Sequence, residues 1–388
     1  MAPGKETVSR VWPQSGILAA AARPMFPLAG LWAAVAVALW QWAPGVMAGL
    51  PDPLMWHVHE MTFGFGGAAA AGYLCSAVSS WTGQAPIRGA PVALIVLLWC
   101  LARVGLLTGA GPAWGVALCS AGMFWTIAAL LAREAWRAGT GWHPEFIGAA
   151  MLGGALSGLL ILSMETGGHA PAFAPLAVLG FTALLIHIGG RMVPAFLANA
   201  AGWQGRPPRH TPGWLRGLAL AAVAASAGFL AVGAASPASV ALILGGLAML
   251  AYFVTWPLAP AGRDVLLAIL TIAFLWVPAG LVLWGMSLRG VALAPAGALH
   301  ALVMGAMGGH ILGIAARVFA HRTTRGLKAR RGIGMAYCLI LLAVPARMAG
   351  MLDLAAASWC AGWIGFALLM IPHLSGPLPR PVFSGIRH

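Results

Sequence analysis

Charge is what this sequence has least of. Only 8% of its 388 residues are Asp, Glu, Lys or Arg, and the acidic ones number eight. So few charges cannot cover a water-exposed surface of this size, which excludes an ordinary soluble domain. The five cysteines (Cys75, Cys100, Cys119, Cys338, Cys360) make no short pair, which excludes a cysteine zinc site and a thioredoxin-type motif. Each sits in an apolar segment and reads as a small buried hydrophobe. No cleavable signal peptide is evident, since the first apolar run follows Arg23-Pro24 and is long enough to anchor in a bilayer. The formal charge of +14 does not imply nucleic acid, because the basic residues are dispersed over short loops.

What is abundant points to a membrane. The chain is 61% hydrophobic, with 52 Gly, 27 Pro and 18 Trp, and Gly and Pro are tolerated in spans whose neighbours satisfy the backbone. Apolar runs long enough to cross about 30 Å of hydrocarbon number about twelve. They fall near 24 to 43, 56 to 80, 90 to 108, 112 to 133, 145 to 165, 171 to 197, 214 to 235, 237 to 257, 264 to 286, 293 to 320, 332 to 351 and 354 to 372. The expected fold is therefore an all-α polytopic bundle, one transmembrane domain over residues 1–388. Trp12, Trp42, Trp56, Trp81, Trp142, Trp203 and Trp214 read as interface belts.

Orientation follows from Lys and Arg. Lys5, Arg10, Arg23, Arg88, Arg133, Arg137, Arg206, Arg209, Arg216, Arg263, Arg322, Arg325, Lys328, Arg330, Arg331, Arg380 and Arg387 fall on one side. The other side offers chiefly Asp52, Glu165, Arg289 and Asp353. Both termini are then expected in the cytoplasm, with even-numbered helices running inward.

On that frame the stretch Trp56-His57-Val58-His59-Glu60-Met61 opens helix 2 at its outer end, and His300 lies at similar depth on helix 10. Polar groups in such a setting need a reason. His57 and His59 point about 200° apart on a helix, so each is expected to face a different neighbour. Neutral imidazole ligates haem iron, copper or zinc. His59 and His300 are expected to flank one iron, with His57 turned toward a second centre. Glu60 is expected to orient a histidine, to pair with Arg103 or Arg347, or to pass a proton. A deeper layer holds His187 and Arg191 on helix 6 and His310 and Arg317 on helix 10, with Asn199 and His321 at the cytoplasmic boundary. His187 and His310 form a second candidate ligand pair, against the alternative of structural hydrogen bonds. Arg103, Arg191, Arg317 and Arg347 each need an anion, and haem propionates would supply carboxylates that the chain lacks. Arg191 and Arg317 can instead snorkel to the near interface, which leaves Arg103 and Arg347 as the better propionate partners. Gly305, Gly309 and Gly313 offer either close helix packing or bare space for a flat porphyrin.

These residues resemble a known family. Trp56-His57-Val58-His59-Glu60-Met61 with Phe63-Gly64-Phe65 and Trp81-Thr82-Gly83-Gln84-Ala85-Pro86 is similar to the helix 2 signature of NnrS proteins. Gly189-Gly190-Arg191-Met192-Val193-Pro194-Ala195-Phe196 with Asn199, and the run from His300 through Gly305, Gly313 and Arg317 to His321, resemble its other blocks, as does Arg23-Pro24. The resemblance implies a multi-pass bacterial inner-membrane protein with haem b and copper, linked to nitric oxide, nitrosative stress and denitrification, and acting as an oxidoreductase. Ligation from helices 2, 6 and 10 is also similar, by analogy only, to haem–copper oxidases. The chain lacks their His-His pair on helix 7 and a His-x-His on helix 10. A quinol is one donor that suits a membrane redox protein, though no residue identifies it. The other function class is a transporter for a metal or small solute, in which the histidines form a transient pathway. The absence of an evident internal repeat weighs against that class.

Overall fold

The structure is a computed structural model that describes residues 16–166, 170–203, 205, 211–291, 293–323 and 326–376. Lys5, Arg10, Trp12, Arg206, Arg209, Arg325, Arg380 and Arg387 lie outside the described residues, as does the side chain of Trp203. Eleven helices among the described residues are long and apolar enough to cross a membrane. They are α1 (Ala22–Trp42), α2 (Pro53–Thr82), α3 (Ala90–Thr108), α4 (Ala113–Ala138), α5 (Pro144–Glu165), α6 (Ala174–Gly202), α7 (Gly213–Ala231), α8 (Ala235–Phe253), α9 (Val265–Ser287), α10 (Pro295–Val318) and α12 (Leu352–His373). The shorter apolar helix Ile333–Met348 is α11 and packs between α10 and α12. The chain is thus an all-α polytopic membrane protein.

The helix limits have local causes. Asp52 accepts a hydrogen bond from the Met55 N–H at 3.0 Å with Pro53 at the first turn, so α2 starts three residues before the apolar run. Asp264 caps α9 through the N–H groups of Leu266 and Leu267. Gly83, Gly109 and Gly139 end α2, α3 and α4 in the left-handed conformation that a Cβ disfavours.

The first and last helices close the bundle. At one end the Arg23 guanidinium donates to the carbonyls of Gly16 (2.8 Å) and Gly376 (2.9 Å). At the other, Asp353 accepts from Gln41 and from the Trp42 indole, both at 3.0 Å. Midway, the Trp359 indole donates to the Ala33 carbonyl at 3.1 Å. Both ends of the described chain therefore lie on one face, the basic face, which also carries Arg88, Arg133, Arg216 and Arg263. A short antiparallel hairpin, β1 (His321–Thr323) and β2 (Gly326–Lys328), occupies the α10–α11 connection there, where the sequence suggested only a basic loop.

Three helices, four apart in the chain, form the centre. Each is widened by a π-helical segment: Glu60–Gly66 in α2, Leu185–Gly189 in α6 and Ala301–Gly308 in α10. Such turns are rare and concentrate at functional sites. Here each directly follows or contains a histidine (His59, His187, His300). The three helices also touch. Phe63 meets Phe181 edge-on at 6.1 Å, a Cβ on Gly66 would stand 3.0 Å from the Phe181 ring and 3.4 Å from the Met307 sulfur, and one on Gly189 would stand 2.9 Å from His310 Nε2.

The glycines of α10 serve packing. A Cβ on Gly305 would fall 2.5 Å from the Trp276 indole, on Gly309 2.7 Å from Ala273 and on Gly313 2.7 Å from Leu270, so α9 fills that face and no flat cofactor does. Two belts of expectation also change. Trp56 is buried against Ala36 and Met47, because it sits on the inward stripe of α2, and it is no interface residue. Cys338 is exposed on the outside of α11, unlike buried Cys75 and Cys360.

Candidate functional site

The polar opening turn of α2 feeds two different sites. Two residues on a helix diverge by about 200°, and His59 and His57 accordingly reach opposite neighbours. His59 is fully buried. Its Nδ1 lies 2.8 Å from Glu60 Oε1 and its Nε2 lies 2.9 Å from Ser157 Oγ on α5. Ser157 is 2.7 Å from Ser120 Oγ on α4, and the Arg103 guanidinium on α3 donates to Ser120 at 3.4 Å. Arg103 Nε returns to Glu60 Oε2 at 2.7 Å, a close contact of opposite charges without hydrogen-bond alignment. Five buried side chains from four helices thus form a closed ring. Each charge in it is paired, as burial in lipid demands. Arg103 lies 5.6 Å from the centre of the Trp99 ring, and the Trp99 indole donates to the Gly64 carbonyl at 2.9 Å.

His57 faces α10. Its ring lies 6.5 Å from that of His300, centre to centre, with the planes 25° apart, and 4.6 Å from that of Trp40, tilted by 34°. His300 Nδ1 donates to the Ala296 carbonyl one turn earlier, which leaves Nε2 free to accept or ligate. Buried His57 Nδ1 has no hydrogen-bond partner. Arg347 on α11 stands within electrostatic reach of both rings and forms no ion pair among the described residues. The expected facing of His59 and His300 is therefore corrected. Both nitrogens of His59 are engaged with Glu60 and Ser157, and it is His57 that meets His300.

The deeper layer borders a cavity of about 390 Å³ among α2, α4, α5, α6 and α10. Its walls are apolar and aromatic, with Phe63, Phe124, Phe146, Phe181 and Tyr73 among them. Phe63 also touches His59 at 5.4 Å and so separates the buried ring from the cavity. Both His187 and His310 line it. His310 Nδ1 donates to the Ala306 carbonyl at 2.8 Å, and its buried Nε2 has no partner. Near the basic face Glu145 Oε1 is 3.0 Å from His143 Nδ1 and 3.6 Å from His187 Nε2.

Residues 16–377 match a family model described as NnrS protein. The chain belongs to the NnrS family. No curated protein and no solved structure matches it. NnrS membership makes it a multi-pass membrane protein with a role linked to nitric oxide.

In this NnrS chain the sequence blocks lie at the centre of the bundle, on the three widened helices. The remaining expected residues lie nearer the basic face. Arg317 is buried 3.8 Å from the centre of the Phe196 ring, a cation–π contact, with Asp264 in electrostatic reach. Arg191 and Asn199 are exposed. Exposed His321 meets Arg330 Nη1 at 3.2 Å. Ser120 and Ser157 escaped the sequence reading, because serine is common in membrane helices and only the tertiary contact shows that both meet His59 and Arg103. Burial of Glu60 beside His59 was the signal that could have prompted a search for hydroxyl partners.

Proposed function

We propose that this protein holds haem b between α2 and α10, where His57 and His300 would be its ligands, and uses it to bind or remove nitric oxide. The observation behind this reading is the pair of facing imidazoles. The two rings lie 6.5 Å apart, centre to centre, and Nε2 of His300 is left free by its other nitrogen's bond to Ala296, so the pair would be available to a group seated between the helices. Among the described residues no three His, Cys, Asp or Glu side chains converge to hold an ion. A bare copper or zinc ion would lack ligands there, whereas a porphyrin brings four nitrogens of its own and asks the protein only for axial ones. The described residues thus fit haem better than copper.

Haem held there would supply a redox-active iron, which nitric oxide would reach in place of one of the two imidazoles. The chain's own residues prepare for it. The Ala296 carbonyl fixes the His300 tautomer and ring direction. Arg347 offers a cation to a propionate. The Glu60–Arg103 pair neutralises itself next door and so leaves Arg347 as the free cation of the pair that the sequence singled out. With the basic face in the cytoplasm, haem held there would lie in the periplasmic half of an inner membrane.

The test is the visible spectrum of the purified protein. Wild type is expected to show a strong Soret band, His57→Ala and His300→Ala to lose it, and folded His59→Ala to keep it. Arg347→Leu is expected to lower haem content more than Arg289→Leu, whose side chain donates to Ser239 instead. A wild-type protein without a Soret band would defeat the haem reading and favour transport.

A further inference from the structure

The cavity among α2, α4, α5, α6 and α10 is shaped for a guest that arrives from the lipid. Three of its lining residues, Leu152, Gly180 and Glu145, are exposed, Leu152 to 67%, so it opens sideways between α5 and α6. Glycines flank this slit. A Cβ on Gly180 would meet nothing within 4 Å, and one on Gly153 would make only ordinary contact with Phe124 at 3.5 Å. Along α5 the lining runs from Glu145 to Leu156, eleven helical steps or about 16 Å. A cleft of that length, apolar along its walls and open to acyl chains, accepts a long apolar tail.

Polarity is confined to one end. His310 is 1% exposed, and because a carbonyl can only accept, its Nδ1 carries the proton toward Ala306. With no carboxylate in contact, the ring is neutral, and its Nε2 is an acceptor without a donor. Gly189 has no side chain to cover that atom, from which a Cβ would stand only 2.9 Å. His187 and Glu145 line the same end, with the Glu145 carboxylate a second acceptor. Trp81, His143 and Phe146 stack below: Trp81 and Phe146 lie 5.1 Å apart with planes 16° apart. A buried acceptor calls for a hydroxyl donor, and the aromatic walls suit a flat ring. Arg191 and Arg216 stand in electrostatic reach of His187 and offset the Glu145 carboxylate, so it is the neutral acceptor of His310 and the aromatic walls, not net charge, that favour a ring bearing a hydroxyl.

We propose that this cleft binds an isoprenoid quinol from the bilayer, ring hydroxyl on His310 Nε2 and tail in the slit between α5 and α6. The cavity and its acceptors carry this inference, and it does not rest on haem at His57 and His300.

Binding of a radiolabelled short-tailed benzoquinol to the purified protein in lipid nanodiscs tests it. Wild type is expected to bind saturably. His310→Leu removes the acceptor and is expected to weaken binding about tenfold. Gly180→Trp, which faces open space and so leaves the fold intact, is expected to block the slit, while Gly228→Trp on the outside of α7 binds as wild type. His57→Ala is expected to lose haem and still bind quinol, which separates this inference from the haem reading. Absence of saturable binding, or wild-type affinity in both His310→Leu and Gly180→Trp, would overturn the proposal. So would loss of the Soret band in His310→Leu, since the cleft would then be the haem pocket.

Discussion

Ser157 Oγ stands 2.9 Å from His59 Nε2 and joins the middle of α5 to the first polar turn of α2. Through this contact a histidine that a lipid-embedded helix could not carry alone becomes part of a satisfied ring. Glu60, Arg103 and Ser120 complete it.

The ring predicts an asymmetry between single and paired substitutions. Glu60→Leu or Arg103→Met alone leaves one buried charge without its partner and is expected to cost about 3–5 kcal/mol. The double variant is expected to lose markedly less than the sum. Ser157→Ala, which strips one neutral partner, is expected to cost about 1–3 kcal/mol. Thermal unfolding in detergent, followed by size-exclusion recovery, ranks the four proteins, and additive losses would show that the two charges act independently.

Close approach of α10 to α9 predicts a sharp steric response. Gly309→Leu would drive a side chain into Ala273, where even a Cβ is 2.7 Å away, and Gly305→Leu into Trp276. Both are expected to lower the melting temperature and folded yield strongly, as overpacking costs about 1–3 kcal/mol or more. Gly228→Leu, with open space at its Cβ, is expected to be neutral. Equal yields in all three would mean that α9 and α10 are farther apart.

Topology is open to labelling in whole cells. Asp353→Cys, on the face opposite the basic one, is expected to react with a membrane-impermeant maleimide, whereas Arg331→Cys is expected to stay protected until the membrane is opened. The reverse pattern would invert the assignment of depth for every buried polar residue.

The positions of the spans were legible in the sequence because a bilayer imposes one dominant constraint, an apolar run of sufficient length, and it acts on each helix separately. The wish of His57 and His59 for different neighbours was legible too, since it follows from helix geometry alone. Which neighbour each meets was not. That depends on how α2 is rotated against α5 and α10, and the rotation is set jointly by packing at Gly66, Phe63 and Phe181, by the widened turns of the three central helices and by the hydroxyls of Ser120 and Ser157. Composition likewise told that Glu60 and Arg103 needed partners, because ions in lipid cannot stand alone. Their choice of each other, and the freedom this leaves to Arg347 beside His57 and His300, was decided only when four helices came together and the nearest opposite charge took the contact.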